Sequence, residues 1–253
     1  MKVFITGASS GIGAALARCY AARGAALGLA ARSGEKLAAV AAALPVSCHT
    51  YALDVTEAGA LAAAAEDFMT RCGVPDIVIA NAGISVGTLT EENADLQVFA
   101  QVLQVNVTGM LHTFHPFLAA MKQARSGRLV GVSSVAGVRG MPGAGAYCAS
   151  KAAVNAYLES LRVELRGSGV GVTTIAPGYI ATPMTERNPY PMPFLLDVDV
   201  AAQRIVRQIE RGASYAVVPW QMAMVAGVLR LLPNSWFDRL FVRAGRKPRG
   251  VAR

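Results

Sequence analysis

Apolar and polar positions fall into alternating short and long blocks from the first residues onward. Val3–Thr6 is a short apolar run ended by glycine, and helical periodicity follows from about Gly13 to Arg23. Ala26–Ala31 reads as a second strand, Glu35–Ala43 as a helix, and Val46–Leu53, after Pro45, as a third strand. Glu57–Cys72 is helical, with acids near its start, where they favour the helix dipole. Asp76–Ala80 is a fourth strand, followed by a long helical pattern over Asn93–Arg125 with an interruption expected near Pro116. Arg128–Ser133, Val170–Ala176 and Tyr215–Val218 complete the strands, and Ala146–Arg166 is a strong helix closed by Gly167.

Strands that are apolar on both faces and separated by helices imply a parallel sheet covered on both sides, with right-handed crossovers. The pattern therefore predicts an α/β fold, a Rossmann-type doubly wound sheet of about seven strands. No repeat or linker divides the 253 residues, which read as a single domain: a core over 1–218 and an apolar, basic extension over 219–253. In that extension Trp220–Leu232 is helix-compatible. Pro233 and an aromatic, Arg-bearing stretch from Trp236 to Arg243 follow. This stretch is too short to span a bilayer. It suits either closure of an apolar pocket, a subunit contact, or contact with a membrane surface.

Composition narrows the function classes. Over half of the chain is apolar, so disorder is excluded. No run reaches the roughly 18 apolar residues of a spanning helix. Cys19, Cys48, Cys72 and Cys148 are scattered, with no zinc-like spacing, and suit a reducing compartment. The start, MKVFITGASS, enters a strand at once, so no signal peptide is expected and the cytoplasm is the expected location. The net charge of +8 is concentrated: from Arg239 to Arg253 there are six Arg/Lys and no acid. Such a tail is most simply a solvated end, although it could meet anionic lipid. No aromatic residue is interleaved in Arg243–Arg253, so nucleic acid is not expected as a partner.

The first strand leads into Gly7-Ala8-Ser9-Ser10-Gly11-Ile12-Gly13 and then a helix. Backbone N–H groups at such a helix start favour a pyrophosphate, and the glycines let backbone approach phosphate oxygens. The spacing G-x-x-x-G-x-G is neither the common dinucleotide fingerprint nor a P-loop. At the end of the second strand, where an acid would bond a ribose hydroxyl, stand Ala31 and then Arg32. An uncharged site followed by a guanidinium suits a 2′-phosphate, which favours NADP(H) over NAD(H).

Tyr147 and Lys151 lie four apart on the strongest helix, and so on one face. An ammonium near a phenol stabilises phenolate, and a phenol so tuned exchanges protons with an alcohol or carbonyl oxygen. Ser134 follows the fifth strand, at the carboxyl edge where open α/β sheets bind ligands.

With these pieces in place, the chain resembles the short-chain dehydrogenase/reductase family over roughly residues 1–220. The matching segments are Thr6–Gly13, Leu53-Asp54-Val55, Asn81-Ala82-Gly83, Asn106, Ser133-Ser134, Tyr147-Cys148-Ala149-Ser150-Lys151 and Pro177-Gly178, in the family's order. The resemblance implies hydride transfer between a nicotinamide and a carbonyl/alcohol pair. It implies Tyr147 as general acid and base, and Lys151 as the group that lowers its pKa and bonds the nicotinamide ribose. Ser134, rather than Ser133, would polarise the substrate carbonyl, and Asn106 would anchor a water in a proton relay. Gly7, Ser9, Ser10, Gly11, Ile12 and Gly13 would hold the pyrophosphate and Arg32 the adenosine end. Asp54 and Val55 would flank the adenine, Asn81, Ala82 and Gly83 would line the cleft, and Pro177, Gly178, Ile180 and Thr182 would shape the nicotinamide pocket. Relatives with Ala-Arg-Ser after the second strand use NADPH. Ala80 departs from the second Asn that many relatives carry. Relatives associate through the helices that here are Asn93–Arg125 and Ala146–Arg166, so a homodimer or homotetramer is expected.

Other features carry less. His112 and His115 could share a helix face, but no acid or cysteine partners them, so no metal is expected. Cys148, adjacent to Tyr147, points elsewhere on the helix and reads as packing. Pro183, Pro189, Pro191 and Pro193, with Met184 and Met192, read as a substrate lid and tilt the substrate toward an apolar carbonyl. The competing function is a dinucleotide-sensing or membrane-peripheral scaffold without turnover.

Overall fold

The computed structural model describes residues 1–186 and 188–250. Seven strands form one sheet: β1 (Lys2–Thr6), β2 (Ala26–Ala31), β3 (Cys48–Ala52), β4 (Ile77–Ala80), β5 (Arg128–Val132), β6 (Gly171–Pro177) and β7 (Tyr215–Val218). Their order is β3-β2-β1-β4-β5-β6-β7, and every pairing is parallel. The chain reverses its direction of travel across the sheet between β1 and β4, the switch point at which the crossover helices part and leave a crevice.

Alternate side chains of each strand enter two separate cores, as the period of a strand requires. Phe4, Val78 and Leu129 pack on one face, under α3 (Ala58–Cys72), α4 (Asn93–Leu103), α5 (Gly109–Ala124) and α6 (Gly145–Glu164). Val3, Ile5, Ile79 and Val130 pack on the other, under α1 (Gly11–Ala21), α2 (Gly34–Ala42) and α7 (Val198–Glu210). Phe4 is fully buried and meets three rings, those of Tyr51, Phe68 and Phe117, with centroids 5.7, 5.6 and 4.9 Å away.

Two elements differ from the sequence expectation. The break in the long helix falls not at Pro116, which α5 carries through, but at a π-helical turn over Gln104–Thr108. That turn holds Asn106, whose buried side chain bonds outward to the β4 loop and to α6. The second is α7, not anticipated from the sequence although its signal is ordinary. Asp197 caps it through Asp199 N and Val200 N, and Ala201, Ala202, Ile205, Val206 and Ile209 repeat at helical spacing. Beyond β7 come α8 (Gln221–Leu231) and α9 (Asn234–Phe241). Among the described residues no helix is long and apolar enough to cross a membrane.

Because Phe4 joins β1 to α3 and α5, Phe4→Ala should cost about 3–5 kcal/mol of unfolding free energy, read by denaturant titration. A loss below about 1 kcal/mol would mean that this face of the sheet is not the core.

Candidate active site

A cleft of about 650 Å³ opens at the carboxyl edge of the sheet, at the β1/β4 switch point. This lies in the range of small-molecule and cofactor sites. Its floor is the β1–α1 turn. A Cβ on Gly13 would stand 2.2 Å from Gly7 O, and one on Gly7 would stand 2.8 Å from Ala82 Cα, so only glycine fits either place. Asn81 locks the turn to the end of β4: its amide donates to Thr6 O and Gly7 O, both at 3.1 Å. Ser10 at the start of α1 makes no side-chain cap, so the first N–H groups of that helix have no side-chain partner at the cleft.

Tyr147, Lys151 and Ser134 meet at the far end. Helix α6 approaches β5 closely: a Cβ on Gly131 would lie 2.4 Å from Leu158 Cδ1. Ser133 and Ser134 part company here. The Ser133 hydroxyl donates to Lys151 O at 3.2 Å and anchors α6, whereas Ser134 lines the cleft with its hydroxyl beside the phenol. Lys151 is only 4% exposed, and its Nζ donates to Val132 O at 2.9 Å. Burial pushes this ammonium down to about 8. Burial also pushes the Tyr147 phenol above its ordinary value, opposed by the Ser134 hydroxyl, which favours phenolate. The sequence expectation was a phenol lowered by Lys151. Burial and the Ser134 hydroxyl are the main influences on the phenol here, while Lys151 Nζ lies 5.7 Å from the ring centroid and directs a proton at the β5 carbonyl. Asn106 is fully buried. Its Oδ1 accepts from Ile84 N at 2.8 Å, and Nδ2 donates to Ile84 O at 3.0 Å and Ser150 Oγ at 2.9 Å. Both amide protons are thus spent on protein, which makes the side chain a tie between the β4 loop and α6.

A model of the short chain dehydrogenases matches residues 1–191. The chain belongs to that family. An uncharacterized oxidoreductase of Myxococcus xanthus is 40% identical over 237 residues, 92% of this chain and 93% of that protein. The 2-dehydro-3-deoxy-L-rhamnonate dehydrogenase (NAD(+)) of a Sphingomonas species is 36% identical over 185 residues, 73% of this chain and 74% of its own. Among solved structures, an alcohol dehydrogenase from the archaeon Thermococcus sibiricus, complexed with 5-hydroxy-NADP, superposes with a TM-score of 0.73. It shares 28% identity and covers 86% of this chain and 95% of that one.

A nicotinamide dinucleotide, which the family implies, fits what this short-chain dehydrogenase presents. The glycine cradle admits backbone-close phosphates, and the α1 start faces the cleft. Gly7, Ser9, Ser10, Gly11, Ile12, Arg32, Asp54, Val55, Asn81, Ala82, Gly83, Pro177, Gly178, Ile180 and Thr182 all line it. Gly13 and Asn106 stand behind that lining, the first packed on Gly7 and the second on Ile84 and Ser150. Asp54 also accepts from Thr56 N and Thr56 Oγ1, both at 2.9 Å. Lys36 was missed in the sequence. It lines the cleft beside Arg32 and Ser33 because Ser33 caps α2 and Lys36 falls in its first turn. A basic residue three or four after a strand-end arginine was the available signal.

His112 Nδ1 donates to Val55 O at 3.1 Å, a structural bond, and among the described residues no group of three metal-binding side chains occurs. Cys148 is buried, and desolvation pushes its thiol up. Of the segment expected as a substrate lid, Pro183 and Met184 line the cleft, together with Thr185, whose hydroxyl ties Ile180 O to Thr182. In α8, Met222 backs Gly178, where a Cβ would lie 2.5 Å from Met222 Cγ. Trp220, Met224, Val228, Leu231, Trp236, Leu240 and Val242 stay exposed on the outside of α8, α9 and their ends. The basic tail, expected as a solvated end, instead packs on the protein. Residues 245–250 fold back over the catalytic end, and Arg249 Nε bonds Asp95 Oδ2 at 2.8 Å. Burial of Asp95 and the cluster of basic charge at a chain end give no sequence signal for such a pairing. Arg253 lies outside the described residues.

Proposed function

We propose that this protein is an NADP(H)-dependent oxidoreductase acting on a carbonyl/secondary alcohol pair set in an otherwise apolar substrate. The observation that carries the reading is the convergence of Tyr147, Ser134 and Lys151 at one end of a cleft whose other end holds Arg32 and Lys36. The bound nicotinamide supplies the hydride in reduction and takes it in oxidation. The Ser134 hydroxyl donates to the carbonyl oxygen and holds it against Tyr147. Tyr147 gives its proton to that oxygen as negative charge develops there, and recovers a proton when the reaction runs backward. Lys151, buried beneath, steadies the phenolate left behind, at a place where a charge is poorly solvated and an ammonium counts for more than in water. Asn106 positions this group by fixing the β4 loop to α6. Ile84, Ile180, Pro183 and Met184 contribute apolar wall to the cleft.

Arg32, with Lys36 beside it, supports the preference for a 2′-phosphate, since no acid stands at the end of β2 to bond a free ribose hydroxyl. A scaffold that merely senses a dinucleotide needs the glycine turn and Arg32. It has no use for a desolvated lysine under a tyrosine, which is costly to bury.

Two outcomes test the reading. Arg32→Ala should weaken NADPH by about 10- to 100-fold, as expected for loss of a charge-assisted bond, and NADH far less. Fluorescence titration measures both, and equal losses would remove Arg32 as the phosphate partner. The pH dependence follows from the raised phenol, which is protonated and ready to donate at neutral pH. Reduction should therefore hold level through neutrality and fall on the alkaline side, where the phenol ionises and Lys151, pushed down to about 8, loses its charge. Oxidation, which needs the phenolate, should instead climb from neutral toward alkaline pH. Profiles of kcat in both directions measure this, and a reduction rate that climbs with pH would contradict it.

A further inference from the structure

The tail that covers the catalytic end is gripped at four points. Gly245 packs on Tyr190, where a Cβ would lie 2.9 Å from Tyr190 Cβ, and the Arg246 side chain lies over Gly143. Gly87 N donates to Pro248 O at 2.9 Å, and Gly87 pairs with Arg249 as a short parallel bridge. The Arg249 guanidinium spans Asp95 Oδ2 at 2.8 Å and Glu92 Oε1 at 3.0 Å on and beside α4. The strap therefore joins the loop after β4, the start of α4, the loop before α6 and the lid.

This arrangement carries Lys247 inward. Its ammonium stands 5.0 Å from the centroid of the Tyr147 ring and donates to Ser85 Oγ. Among the described residues no carboxylate lies within ion-pairing distance of it, although the neighbouring Arg249 has two. Desolvation pushes it down to about 8. A cation drawn out of water without a counter-ion is costly, and a fold that secures it there at four points meets that cost through something else. The Ser85 hydroxyl and the Tyr147 ring that it contacts carry no opposite charge, and the Cys148 thiol that it also feels is held toward its neutral form by burial.

We propose that Lys247 is a specificity-determining residue: the carbonyl compound this protein reduces carries an anionic group, a carboxylate or a phosphate, which pairs with the Lys247 ammonium while Tyr147 and Ser134 hold its carbonyl oxygen. The inference rests on the oxidoreductase reading and deepens it. The substrate is then amphiphilic, with an apolar body against Ile84, Ile180 and Met184 and one anionic end under the strap. The cationic site serves recognition only, and the proton and hydride balance of the reaction is unchanged.

The test compares matched probes with NADPH: acetoacetate against ethyl acetoacetate, and dihydroxyacetone phosphate against dihydroxyacetone. Wild type should prefer the anionic member of at least one pair by about 10-fold or more in kcat/KM, carried in KM; the pair that shows it identifies carboxylate or phosphate. Lys247→Met should bring that ratio close to one, and Lys247→Arg should keep most of it. Gly87→Ala reaches the same end without altering the lysine side chain, because its Cβ would stand 2.2 Å from the Lys247 carbonyl oxygen and lift the strap. It too should lose the preference, while the NADPH affinity stays at the wild-type value. A wild-type enzyme that turns over both members of each pair equally well overturns the proposal, as does a preference that survives Lys247→Met. Failure to turn over any probe while binding NADPH counts instead against the oxidoreductase reading on which the proposal stands.

Discussion

The close seating of α6 on β5 is the constraint on which the catalytic end depends. Gly131 removes the one side chain that would hold the helix away, and Leu158 fills the space. Ser133 then bonds Lys151 O, and Lys151 Nζ bonds Val132 O. These contacts turn a sequence spacing of four into a fixed geometry, in which the phenol of Tyr147 stands beside Ser134 at the rim of the sheet. A wider gap would leave Lys151 solvated, and a solvated ammonium does little for a phenolate.

Burial sets the electrostatics as much as charge does. Tyr147 is held toward its neutral form and Lys151 toward its own, each by desolvation. A neutral phenol is the form that donates a proton, as the proposed reduction requires. Lys247 also stands by that ring, 5.0 Å from its centroid and under the same kind of desolvation, so the strap that holds it brings a second cation to Tyr147.

Much of this was legible in the sequence because it is written in local patterns. Strand alternation and helix periodicity set out the sheet, and the glycine turn, Asn81, Ser134, Tyr147 and Lys151 all fall at sheet edges or on one helix face. What escaped was non-local or deceptive. Pro116 advertises a break that α5 does not make, while the break falls at a π turn whose Asn106 bonds the distant Ile84 and Ser150. The direction of the Tyr147 shift depends on how deeply α6 is buried, which spacing does not report. The basic tail reads as solvent-facing because its partners, Asp95 and Ser85, lie more than 150 residues away.

The central claim is that the Tyr147 hydroxyl carries the proton, and removal of that one oxygen tests it most directly. Single-turnover and steady-state rates of Tyr147→Phe, measured with NADPH on a carbonyl that the wild type reduces, should fall by about 100-fold or more. Its NADPH affinity should stay near that of the wild type, since the ring and Lys151 remain. A variant that still reduces the carbonyl at a rate close to the wild type would contradict the account.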